Sequence, residues 1–143
     1  MDQDAIVLRK FLDAEAKRDL DSMAACLHDE FSLYVVGANE LIQGKSSFLN
    51  VIEKVFKDLR EWDLGVVRMI GANSCIAVEF RGSGRFFGEF EGNQYVNVPI
   101  KIQSACVFDF QDGLIKQCAE YFDSHAFRIQ LLNSREFILP SMR

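Results

Sequence analysis

Residues Val96–Asp123 read VNVPIKIQSACVFDFQDGLIKQCAEYFD. Two runs of β-type residues, Val98–Phe110 and Leu114–Asp123, flank the tripeptide Gln111-Asp112-Gly113. Asp-Gly between alternating apolar runs is a strong hairpin signal, because both positions tolerate a positive φ. The stretch therefore predicts a long antiparallel hairpin in the last third of the chain.

Alternation along this hairpin divides its side chains between two faces, since successive residues of a strand point to opposite sides. One face of the first strand holds Ile102, Ser104, Cys106, Phe108 and Phe110. One face of the second strand holds Lys116, Cys118, Glu120 and Phe122. If these two sets share a face of the sheet, Glu120 is a carboxylate among thiols and phenyl rings. Glu120 is therefore the leading candidate for a functional residue.

The chain before the hairpin begins with helical spacing. Apolar residues recur at helical intervals over residues 3–17, and Asp21 is positioned to cap a second, short helix. A strand is predicted at Phe31–Val36, followed by a turn. A third helix begins at residues 44–47, where Ser46 is a plausible cap.

From Trp62 onward the pattern changes to period two, which is typical of strands. The strands predicted before the hairpin are Asp63–Ile70, Ser74–Arg81 and Arg85–Phe90. After it, Asp123 is expected to cap a short helix over Ser124–Leu132, and residues 133–143 form a tail. Helices gathered on one face of such a sheet give an α+β arrangement.

Size and composition fit one domain over residues 1–143, with a core in residues 3–132. The apolar fraction of 49% and the 13 Phe residues are ample for that core. The net charge of −5 is dispersed along the chain, which excludes a basic nucleic-acid-binding face. Nothing approaches the run of about 20 apolar residues that spans a membrane, and the acidic amino terminus is unlike a signal peptide.

The four cysteines lack the spacing of a zinc site, and each lies in an apolar context. We therefore expect reduced thiols in a cytoplasmic protein, with no metal. Nucleophilic catalysis by Cys106 or Cys118 is not expected either, because neither has a neighbouring histidine in the sequence.

Five pieces of the chain together resemble the SnoaL-like branch of the nuclear transport factor 2-like superfamily. The pieces are the opening helix, RDLDSMAACLHDEFSLYVVG, IQGKSSFLNVIEKVF, VFDFQDGLIKQCAEYFD and FRIQLL. The resemblance implies a cone-shaped, curved, mixed or antiparallel sheet packed on three amino-terminal helices, with an apolar pocket and usually a dimer. Members include ketosteroid isomerases, polyketide cyclases and limonene epoxide hydrolases, alongside many non-enzymes, so the fold does not decide the function.

The catalytic residues of these relatives match the chain only at Glu120. The resemblance places the three catalytic positions of the isomerases at Phe11, Val35 and Cys106. A phenylalanine cannot donate to an oxyanion, and a valine cannot remove a proton, so the mechanism of the isomerases is not expected. The resemblance places Glu120 where the epoxide hydrolases carry their base and the cyclases their acidic residue. The histidine of the cyclases has no equivalent on these strands.

The resemblance thus implies a pocket for a lipophilic small molecule, lined by Phe11, Tyr34, Phe56, Phe80, Ser104, Cys106, Phe108, Cys118 and Phe122. One hypothesis is an isomerase, cyclase or hydrolase without a cofactor. In it, Glu120 is the general acid or base, and Tyr34 or Ser104 orients a carbonyl. The alternative is a non-catalytic ligand-binding or dimerisation module.

Two further alternatives for Glu120 stay open at this point. It can be a structural carboxylate paired with Lys116, Arg81, Lys101 or Tyr34, or it can lie at the rim of a dimer. A homodimer is expected through the outer face of the sheet, where the side chains are mixed in character rather than charged. That face carries Gln117, Ala119 and Tyr121, with Lys101 and Gln103.

Overall fold

The computed structural model describes residues 2–142, except for the side chains of Ala72 and of residues 135–142. The elements of this part of the chain follow one another as α1 (Gln3–Ala16), α2 (Leu20–Ala25), β1 (Leu27–Val35), a 3-10 turn (Val36–Ala38), β2 (Glu40–Gln43), α3 (Lys45–Asp58), β3 (Leu59–Ala72), β4 (Cys75–Phe90), β5 (Asn93–Gln111), β6 (Leu114–Phe122) and α4 (Ser124–Met142). Three helices therefore precede the long strands, as the sequence predicts.

The strands form one mixed sheet in the order β2-β1-β6-β5-β4-β3. β1 and β6 run parallel, whereas the other neighbouring strands are antiparallel. The sheet is open, because β2 and β3 form its two edges. Bulges in β3, between Arg60 and Asp63 and between Val66 and Arg68, bend the strands. The predicted α+β class, with helices on a curved mixed sheet, is confirmed.

The β5–β6 hairpin has the turn that the sequence predicts. Asp112 and Gly113 adopt φ values of 55° and 74°, which suit a two-residue turn between twisted strands. Across the pair, Cys106 lies opposite Glu120, and Phe108 lies opposite Cys118. Cys118, Glu120 and Phe122 therefore share a side of the sheet with Ser104, Cys106 and Phe108, as predicted. Lys116 does not belong to that set, because a bulge between Asp109 and Phe110 pairs Phe110 with the buried Ile115 instead.

Two apolar clusters hold the helices on the sheet. In the larger, Leu8 and Phe11 of α1, Met23 of α2 and Phe48 of α3 pack with side chains of the strands. The smaller joins the far ends of β4 and β5 to α4, whose Leu131 is fully buried. Burial of apolar area on this scale is the main source of the stability of such a domain.

The observed helix caps agree with the predicted one at α4 and differ from the predicted ones at α2 and α3. The Asp123 carboxylate accepts a hydrogen bond from the amide of Ala126 at 2.9 Å, which confirms it as the cap of α4. The cap of α2 is Asp19 rather than Asp21, because Asp19 Oδ1 is the atom that accepts from the Ser22 amide. At α3 the capping position is Gly44 rather than Ser46, with no side-chain hydrogen bond.

The first strand is longer than predicted, and a short second strand follows it. β1 begins at Leu27 rather than Phe31, because the Leu27 position pairs with Ile115 of β6. This pairing overrides the helix-ending composition of residues 28–30. β2, at Glu40–Gln43, was not predicted: three of its four residues are exposed, and only Ile42 is buried.

β4 is one continuous strand where the sequence predicts two, separated by Gly82-Ser83-Gly84. β3 approaches β4 so closely here that a Cβ at Gly82 would lie 2.1 Å from the Asp63 carbonyl oxygen. The glycines therefore permit close strand pairing rather than ending the strand. β5 also begins earlier than predicted, because Asn93–Tyr95 pair with the end of β4.

The last helix extends past Leu132 through most of the predicted tail, to Met142. The side chains of the apolar tail residues 137–139 lie outside the described residues. None of the helices described is long and apolar enough to cross a bilayer.

Candidate functional site

A cavity of about 240 Å³ lies between the helices and the concave face of the sheet. Its wall is largely aromatic and aliphatic. Eight of the nine residues that the sequence assigns to the pocket line it, namely Phe11, Phe56, Phe80, Ser104, Cys106, Phe108, Cys118 and Phe122. The rings interlock: Phe11 packs on Phe108 with ring centroids 6.2 Å apart, and Phe31 packs edge-on against Phe48 at 4.9 Å.

Glu120 lines this cavity as well, in the position that the hairpin register gives it. It lies on β6 opposite Cys106, and its neighbours on the same face are Cys118 and Phe122. Burial raises the pKa of the Glu120 carboxyl, because an apolar environment disfavours the charged form. Among the described residues, the structure assigns no hydrogen-bond donor or cation to it.

The cations that the sequence offers as structural partners of Glu120 pair elsewhere or lie on the other face of the sheet. Lys116 Nζ lies 3.2 Å from Glu30 Oε2. Arg81 alternates with Phe80, which lines the cavity, and therefore lies on the opposite face of β4. Lys101 alternates with Ile102, which lines the cavity, and therefore lies on the opposite face of β5.

Tyr34 is the pocket residue that the structure places elsewhere. On β1 it is Phe31 and Leu33 that line the cavity, so alternation turns Tyr34 to the other side of the sheet. Its hydroxyl donates to Asn39 Oδ1 at 2.8 Å. The sequence offers the hydroxyls of Tyr34 and Ser104 to a ligand, and of these two it is Ser104 that lines the cavity.

A second carboxylate, Glu15 of α1, lines the same cavity and was missed from the sequence. Burial raises its pKa to about 7, and the charge of Glu120 adds to the shift. The spacing of α1 contains the signal that would have found it. Glu15 lies four residues after Phe11 and seven after Leu8, and both of these are buried, so Glu15 shares their inward-facing stripe.

Arg18 is the cation in the wall of the cavity, and its guanidinium bonds to backbone. Its two terminal nitrogens donate to the carbonyl oxygens of Phe56 and Leu59, at the end of α3. The guanidinium also lies over the Phe56 ring, 5.0 Å from its centroid. Arg18 therefore fastens the segment after α1 to α3, and it is not hydrogen-bonded to either glutamate.

The cavity also contains two thiols, from neighbouring strands. A hydrogen bond with Cys106, and then burial, raise the pKa of Cys118 well above its ordinary value. A thiol held in the protonated form, as that of Cys118 is, is a poor nucleophile. In the part of the chain that the structure describes, no group of three or more Cys, His, Asp or Glu side chains is arranged to hold a metal ion.

Comparisons with known proteins agree with this architecture. The family model for the SnoaL-like domain matches residues 8–118. No curated protein sequence matches the chain. A candidate SnoaL-like polyketide cyclase from Shewanella denitrificans superposes with a TM-score of 0.81 at 14% identity, covering 91% of this chain and 97% of that one.

Two further solved structures with other described activities share the fold. An LEH-like epoxide hydrolase from M. tuberculosis has a TM-score of 0.73 at 18% identity, covering 96% of each chain. A candidate ketosteroid isomerase from Kribbella flavida has a TM-score of 0.67 at 17% identity, covering 85% of this chain and 78% of that one. At such identities the likeness shows the fold alone.

Proposed function

The chain belongs to the SnoaL-like domain family, and we propose that its cavity catalyses a proton transfer on a small lipophilic molecule without a cofactor. The reaction is of the isomerase, cyclase or hydrolase kind. The observation that carries the proposal is the Glu120 carboxyl, which lines an apolar cavity and has a pKa raised by burial.

Glu120 acts as the general acid or base. A carboxylate whose pKa is raised by burial accepts a proton more strongly than an exposed one. The surrounding apolar wall excludes water that would otherwise solvate the base. Ser104, on the same face of the sheet two residues from Cys106, supplies a hydroxyl that can orient a carbonyl oxygen.

The volume of the cavity limits the size of the substrate that it can hold. An apolar cavity of roughly 150 Å³ holds one benzene ring, and pockets for drug-sized ligands occupy about 300–1,000 Å³. The volume of about 240 Å³ lies between these values. We therefore expect a molecule of one or two small rings, rather than a steroid with four.

A nitrobenzisoxazole tests this function before the natural substrate is known. A base removes the proton on its ring carbon, the N–O bond breaks, and a coloured cyanophenolate forms. We expect saturable turnover by the wild type and a loss of about a hundredfold or more in Glu120→Gln, the usual contribution of a general base. Glu30→Gln is the matched control, because Glu30 is an exposed carboxylate on the adjacent β1.

Equal rates for wild type and Glu120→Gln would overturn the catalytic assignment. Binding of nitrobenzisoxazole without turnover would instead favour the second candidate, a non-catalytic ligand-binding or dimerisation module. In favour of that candidate, the resemblance to the isomerases places Phe11, Val35 and Cys106 at the three positions where they carry catalytic groups.

A homodimer through the outer face of the sheet is part of the proposal. Tyr121 on that face is 52% exposed, and its neighbours there include Gln117, Ala119 and Gln103. A mixed surface with an aromatic residue suits contact between two sheets. Light scattering at micromolar concentration tests it: a dimer that Tyr121→Lys converts to a monomer supports this interface, and a wild-type monomer contradicts it.

We further propose that the protein works in the cytoplasm. All four cysteines are free thiols, and Cys75 is exposed. Exposed thiols persist in a reducing compartment, whereas an oxidising one converts them to disulfides.

A further inference from the structure

We infer that the ligand of this cavity is a compact hydrophobic amine whose ammonium group is held by the Glu15 carboxylate. The inference rests on the proposed function only in sharing the cavity, because Glu120 remains free to act as the base. It concerns what Glu15 recognises, and its test is one of binding rather than turnover.

The first support is the position of Glu15. Its side chain is partly buried and lines the cavity from α1, and the burial raises its pKa to about 7. Among the residues that the structure describes, no hydrogen-bond donor or salt-bridge partner is assigned to this carboxylate. A partly buried charge without a partner is less well solvated than one in water, so a cation in the cavity would supply the interaction that the protein leaves open.

The second support is the charge balance around the cavity. Glu15 and Glu120 are its two carboxylates, and Arg18 is its cation. The Arg18 guanidinium is bonded to the carbonyl oxygens of Phe56 and Leu59 and lies on the Phe56 ring. The guanidinium is therefore fixed to the wall of the cavity. A ligand cation does not have to displace it in order to reach the two carboxylates.

The third support is the aromatic character of the wall beside Glu15. Phe11 lies one helical turn before it, and the Phe11 ring packs with the rings of Phe48 and Phe108 at centroid distances of 6.4 and 6.2 Å. Ring faces attract cations, and they also bury the apolar body of the ligand. An ammonium group on a small ring thus matches both the carboxylate and the wall.

The pH dependence of binding follows from the groups that face Glu15. Beyond Arg18, the titratable ones come from the sheet: Glu120 and Cys118 on β6, and Cys106 on β5. The parts of α3, β1, β3 and β4 that line the cavity contribute apolar and aromatic side chains. A proton on Glu15 competes with the ligand, whereas an alkylamine keeps its own proton until about pH 10. Affinity should therefore rise with pH through the neutral range.

Calorimetric titration with benzylamine and with benzyl alcohol, its neutral analogue, tests the inference. We expect the wild type at about pH 8 to bind the amine at least tenfold more tightly, and to lose about tenfold of that affinity at about pH 6. Glu15→Gln should abolish the preference while still binding benzyl alcohol, and Glu30→Gln should retain it.

Equal affinities for the two probes in the wild type would overturn the inference, with no variant needed. A preference for the amine that survives in Glu15→Gln would overturn the role of Glu15. Turnover of nitrobenzisoxazole without amine preference would refute this inference and leave the proposed function standing. Amine binding that depends on Glu15, without turnover that depends on Glu120, would support this inference and refute the proposed function.

Discussion

Glu15 on α1 and Glu120 on β6 line the same cavity, close enough for the charge of Glu120 to raise the pKa of Glu15. They come from opposite layers of the fold, one from a helix and one from the sheet. The register of the β5–β6 hairpin places Glu120, and the inward stripe of α1 places Glu15. The cavity therefore has a largely apolar wall that carries two carboxyl groups.

The pKa of Glu15 makes the stability of the protein depend on pH. Its pKa is about 7 in the folded protein against 4.5 for the free side chain. Between these values the folded state retains a proton that the unfolded state has lost, so stability falls as pH rises through this window. Glu15→Gln should therefore be more stable than wild type at about pH 8, by up to about 3 kcal/mol.

Urea unfolding at about pH 4 and at about pH 8 measures this effect, since the advantage of the Gln variant should vanish at the acidic value. An advantage that is the same at both pH values would show that Glu15 does not titrate abnormally. Glu30→Gln serves as the exposed control, and its effect should be within about 0.5 kcal/mol.

Gly82→Ala tests the close approach of β3 and β4. A Cβ at this position would meet the Asp63 carbonyl oxygen at 2.1 Å and the Leu64 Cα at 2.7 Å, so backbone must move. We expect a loss of about 1–3 kcal/mol in chemical unfolding, the usual range for overpacking. Gly65→Ala is the matched control, because its Cβ would have 3.6 Å to the nearest atom. Equal effects of the two substitutions would contradict this account.

Arg18→Met tests the link between α1 and α3. The variant removes the hydrogen bonds to the Phe56 and Leu59 carbonyl oxygens and leaves those acceptors without their donor. Hydrogen bonds from charged groups contribute about 1.5–3 kcal/mol, and we expect a loss of about 2 kcal/mol in thermal or urea unfolding. The neighbouring exposed Lys17→Met should be close to neutral, and a similar loss there would refute the specific role of Arg18.

Tyr34→Phe tests the position of the Tyr34 hydroxyl. Because that hydroxyl bonds to Asn39 and lies outside the cavity, its removal should leave nitrobenzisoxazole turnover and benzylamine affinity within about twofold of wild type. A loss of about tenfold in either quantity would place the hydroxyl at the ligand instead.

The sequence was sufficient for those parts of the site that depend on strand alternation. The Asp112-Gly113 turn predicts the hairpin, but it is the bulge between Asp109 and Phe110 that moves the register by one residue and puts Glu120 on the face of Cys106 and Phe108. Tyr34 was misplaced because alternation alone does not say which face of β1 is inward. That choice depends on the parallel pairing of β1 with β6, a contact between segments more than 80 residues apart.

Glu15 is the opposite case, because the sequence of α1 itself indicates its inward position. Its spacing from Leu8 and Phe11 places it on the buried stripe of α1. Its proximity to Glu120, however, depends on how α1 packs across the sheet, which no local pattern specifies. The continuity of β4 through Gly82 likewise depends on a contact that no local pattern specifies. The missing side chain of Gly82 leaves room for the backbone of the neighbouring β3.

The most direct test is a carbon-13 NMR titration of the glutamate carboxyl groups in wild type and in Glu120→Gln. The account predicts that one carboxyl, assigned by its loss in Glu15→Gln, titrates near pH 7 in the wild type. Its midpoint should fall in Glu120→Gln, because the neighbouring charge is gone. A Glu15 midpoint close to the ordinary value of 4.5, unchanged by Glu120→Gln, would contradict the central claim that two carboxylates share an apolar cavity.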